Sequence, residues 1–176
     1  MSLDADRENK RLMALIEEMT GESDRSVAIV GAAWVEESLA AAIEAFLEPH
    51  AKSVERLLQR TGPLAAFSAK IDLARLLGMT SNEIWSDLHA IRKIRNEFAH
   101  VVAHEADQTR LTFASGQINL MCMGLNCVSI EKPTDARAAF TRACAILNAD
   151  FETVRFFGVR IENGGRVIAR GMTKAL

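Results

Sequence analysis

Apolar residues recur along this chain mostly at helical spacing, and the helices they predict can be read off in order. Leu12, Leu15, Ile16 and Met19 share one side of a short first helix over 6–19, which Thr20-Gly21 breaks. Ser23 is placed to cap a long second helix that runs to about Leu47 and ends before Pro49. Ile29, Ala33, Ala40, Ile43 and Leu47 form one apolar face of that helix, and Val27, Val30, Trp34, Ala41 and Ala45 form another. A helix apolar on two sides is central to its bundle, or is clamped between its bundle and a second subunit.

A short helix over 51–60 carries Val54, Leu57 and Leu58. Gly62-Pro63 then opens another, with proline at the favoured first position and Gly78 as its C′ stop. Thr80 through Glu83 reads as a capping box for a helix reaching about Val102. Residues 106–131 lose the helical period. Leu111-Thr112-Phe113, Ile118-Asn119-Leu120 and Cys127-Val128-Ser129-Ile130 are short and β-leaning, which predicts an excursion with at most a small β element. Lys132-Pro133-Thr134 caps a last helix striped by Ala136, Phe140, Ala143, Cys144, Leu147, Phe151 and Val154. Val159 and Ile161, then Asn163-Gly164-Gly165, then Val167, suggest a hairpin.

The expectation is an all-α protein: a bundle of five or six helices with a small irregular or β excursion and a C-terminal hairpin. One domain spans 1–176, divided into an N-terminal helix (1–22), core helices (23–104), the excursion (105–132), a last helix (133–158) and a tail (159–176). A chain of 176 residues, 49% hydrophobic and 25% charged, has the length and composition for such a core. A net charge of −2 and a pI of about 6.1 argue against a surface built for sequence-independent nucleic-acid binding. No apolar run reads as a membrane span and the N-terminus is charged, so the expected location is cytoplasmic, with no membrane contact. Three cysteines, Cys122, Cys127 and Cys144, are an odd number and read as free thiols.

One position breaks the hydrophobic pattern. On the helix after Thr80 the apolar face is Ile84, Leu88, Ile91, Phe98 and Val102, and Arg95 points into the middle of it. A charge there must be paired and hydrogen-bonded. Arg95 is therefore either a structural tie or a functional group in a cleft. Glu36, near the centre of the first apolar face of the long helix and flanked by Ala33, Ala40 and Ile43, is the obvious partner for a tie.

Arg95-Asn96, two spacers and Ala99-His100 resemble the Arg-x4-His signature of the HEPN superfamily, helical domains that include metal-independent endoribonucleases. That resemblance implies a catalytic set of Arg95, Asn96 and His100, with the histidine activating a ribose 2′-hydroxyl and the arginine stabilising the phosphorane. On a regular helix two side chains five apart diverge by about 140°, so convergence would take a homodimer. Gly62 through Met79 also resembles the Gly-Pro-Leu to Leu-Gly segment of the mannitol operon repressor (MltR) family, and Asp24-Arg25 before a long apolar helix sits where that family begins. This likeness extends from about Asp24 to His104. It implies an all-helical bacterial regulator that need not touch DNA itself, expected to act as a homodimer through an unidentified protein partner. RNA is a partner only under the nuclease alternative.

Neither a metal nor a cofactor is expected. His100 and His104 lack the glutamate of a zinc-protease motif, Cys122-x4-Cys127 has the wrong spacing for a zinc knuckle, and no phosphate-cradling glycine loop is present. The helix after Gly78 begins Ser81-Asn82-Glu83-Ile84-Trp85, acidic and apolar where a recognition helix would read bases.

Overall fold

The computed structural model describes residues 22–47, 51–59, 61–100, 111–130, 132–157, 159–162 and 166–169. The helix expected over 6–19 and the reach to Val102 lie outside the described residues. Within them the fold is an all-α bundle of six α-helices, with one 3-10 turn and a C-terminal two-stranded hairpin.

Helix α1 (Asp24–Phe46) starts at Ser23, whose Oγ accepts the Ser26 N–H at 3.2 Å, with Asp24 favourably placed at the positive end of the helix dipole. It packs most extensively on α6 (Ala136–Phe157), then on α4 (Asn82–His100) and α3 (Phe67–Leu76). The buried stripe is Ala28, Ala32, Val35, Leu39 and Ala42, flanked by Val27, Gly31 and Ile43. It runs between the two faces expected from sequence, leaving Ala33 and Ala45 exposed. An alanine-rich helix offers several stripes of similar apolarity, and its neighbours choose among them. By length and composition α1 could also cross a membrane, contrary to the expectation that no segment could; here its stripe is core.

Short α2 (Ala51–Leu58) buries Leu58. The following helix, α3, does not begin at Pro63. Pro63 is instead the second residue of a turn closed by Ala65 N–H to the Gly62 carbonyl at 3.0 Å, and Leu64 N–H returns to the Leu57 carbonyl at 2.9 Å. A Cβ at Gly62 would collide with the carbonyls of Arg56 and Leu57, so the close approach requires glycine.

The end of α3 has the expected C′ glycine. Gly78 takes φ 71°, its N–H donates to the Arg75 carbonyl at 3.1 Å, and Met79 N–H donates to that of Ala74 at 2.9 Å. Met79 is buried as the motif prescribes, and this carries Thr80 wholly into the core. Thr80 therefore cannot cap α4. Ser81 does, its Oγ accepting the Ile84 N–H at 3.3 Å and its carbonyl the Trp85 N–H, so the helix starts one residue later than the capping box implied.

The excursion is helical, not β-leaning. Helix α5 (Gly116–Met123) and a 3-10 turn (Asn126–Val128) pack on α4 and α6. Ile118 and Cys122, one turn apart, are both buried, and that pairing outweighs the local strand preference. Ahead of it Phe113 sits between Phe98 and Phe140, with ring centroids 5.1 and 5.2 Å away. Helix α6 begins at Ala136. Its cap is Asp135, whose Oδ1 accepts the Ala138 N–H at 2.8 Å, rather than Thr134. Every residue of its expected stripe is buried. Strands β1 (Val159–Glu162) and β2 (Arg166–Ala169) pair antiparallel, Val159 opposite Ala169 and Glu162 opposite Arg166.

Candidate functional site

Three helices each bring one charge to a common seam. Glu36 comes from α1, Lys70 from α3 and Arg95 from α4. Glu36 Oε2 accepts from Arg95 Nη1 at 3.0 Å, and Oε1 accepts from Lys70 Nζ at 2.7 Å. Arg95 also donates from Nε and Nη2 to Asn96 Oδ1 at 3.3 and 3.2 Å, and its guanidinium lies 5.7 Å from the centroid of the Phe67 ring. The Glu36 and Arg95 side chains keep 22% and 29% of their exposure, so the seam is half-buried rather than sealed. One carboxylate between two cations leaves a formal surplus of one positive charge.

Lys70 is the member that sequence reasoning missed. Its signal was the one that exposed Arg95: on α3 the buried residues are Phe67, Lys70, Ile71 and Ala74, a single stripe at helical spacing with a charge inside it.

The residues of the nuclease set separate. Arg95 and Asn96 touch each other, while His100 is the last residue of α4, exposed and without a hydrogen bond or ion pair among the described residues. Among those residues no three His, Cys, Asp or Glu side chains are grouped to hold a metal ion.

Two other polar groupings were not anticipated. Asp87, buried on α4, accepts Asn126 N–H at 2.9 Å, Asn126 Nδ2 at 2.8 Å and Cys127 N–H at 2.8 Å, so one carboxylate anchors the start of the 3-10 turn. Burial pushes all three thiols up, Cys122 to about 12, and Asp87 adds to the effect at Cys127. Thiols held so far above neutrality are poor nucleophiles. On α6, burial lifts the Asp150 carboxyl to about 6.

The second grouping lies on the outer side of α3 and α4. Asp72 Oδ1 accepts from Trp85 Nε1 at 2.9 Å and lies 3.2 Å from His89 Nε2. The Trp85 hydrogen bond, with those of His89 and the nearby Arg92 charge, holds the Asp72 carboxyl below its usual range against a smaller opposing effect of desolvation.

No protein-family model matches the chain, and no curated protein matches it by sequence. Among solved structures, the fold is similar to a chain in the X-ray structure of the MtlR–HPr complex from Escherichia coli. The TM-score is 0.64 at 18% identity, and the alignment covers 80% of this chain and 97% of that one. At that identity the likeness establishes a shared fold.

Proposed function

We propose that this chain is a cytoplasmic regulator of the mannitol-operon type, working as a homodimer through contact with a protein partner rather than by reading DNA. The observation that carries the reading is the fold shared with nearly the whole of a chain solved in complex with HPr. Physical features support it. The overall charge is slightly negative, and α4 opens Asn82-Glu83-Ile84-Trp85, which serves neither phosphate attraction nor base readout. In this reading the Glu36–Lys70–Arg95 seam ties α1, α3 and α4 together and is not a catalytic centre. Within one chain the endoribonuclease set is not assembled, since Arg95 is held by Glu36 and Asn96 while His100, the last residue of α4, makes no hydrogen bond or ion pair among the described residues, so that alternative requires two chains to complete it.

The direct experiment is calorimetric titration of the purified chain with HPr. Saturable one-to-one binding is the expected result, with Kd on the order of micromolar. Absence of heat and of co-elution at 100-fold higher concentration would remove HPr as the partner.

A further inference from the structure

We draw no further inference here: the strongest candidate, the cleft between α3 and α4 lined by Asp72, Arg75, Leu76, Asn82 and Trp85, exposes Leu76 and Trp85 to solvent, and nothing in the structure shows what covers them.

Discussion

Glu36 serves two cations, and that changes what mutation should do. Removing Arg95 alone leaves Glu36 paired to Lys70, so Arg95→Met should cost about 1–2 kcal/mol, less than the loss expected of a sealed pair. Glu36→Gln strands both cations and should cost more, about 2–4 kcal/mol. The double change should recover little because Lys70 stays unpaired, whereas adding Lys70→Met should recover most of it. Chemical denaturation of the four variants measures this; full recovery in the double variant would show that Lys70 is not coupled. Asp150 is a second residue-scale test. Its folded pKa, about 6, lies above the ordinary 3.8, so the native state binds the proton more tightly than the unfolded chain. The penalty is therefore fully present above pH 6 and is relieved as pH falls from 6 towards 4. Asp150→Asn should stabilise the protein at pH 7 by about 1–2 kcal/mol and remove that slope from a plot of stability against pH.

Between α3 and α4 a single turn decides where two helices stop and start. Gly78 at φ 71° ends α3, the buried Met79 closes the motif, and the following Thr80 is pulled inward, so Ser81 becomes the cap. Two substitutions separate this from a Thr80 capping box. Ser81→Ala should cost about 1 kcal/mol, whereas Thr80→Val should be neutral or stabilising, because the Thr80 hydroxyl is buried without a hydrogen-bond partner. Thermal melts of the two proteins decide it; a larger loss from Thr80→Val would restore threonine as the cap. The 3-10 turn after α5 depends in the same way on Asp87, which receives three donors from Asn126 and Cys127.

At the scale of the whole molecule, one side of α1 is half-covered among the described residues, with Ile29, Val30, Trp34, Ala40 and Ala41 all retaining partial exposure. A second copy packed there would bury them, and sedimentation at micromolar concentration should show twice the chain mass. A monomer across the accessible range would sink the dimer. The same samples should retain no operator fragment selectively at physiological salt, since neither the net charge of −2 nor the acidic start of α4 favours DNA. Tight sequence-selective retention would overturn a regulator that acts only through protein.

Legibility from sequence followed the range of the interaction. The stripe of α6, the Ser23 cap, the C′ role of Gly78 and the antiparallel tail hairpin rest on spacing and on backbone preferences of adjacent residues, and all were readable before any fold was known. The odd placement of Arg95 and Glu36 was readable too, because a charge within an apolar stripe advertises a partner. What only the tertiary structure decided was choice among local equals. Alanine-rich α1 offers several faces, and the packing of α6 and α4 selected one. Residues 116–123 have mixed propensity, and burial of Ile118 and Cys122 against α4 and α6 made them helix. Lys70 sits in an apolar stripe as Arg95 does, but which carboxylate it meets was decided by α3 crossing α1 at that height, a contact spanning 34 positions. Local preferences differ by tenths of a kcal/mol per residue, whereas burying one large side chain contributes about 1.5–3 kcal/mol, so packing prevails wherever the sequence leaves near-ties.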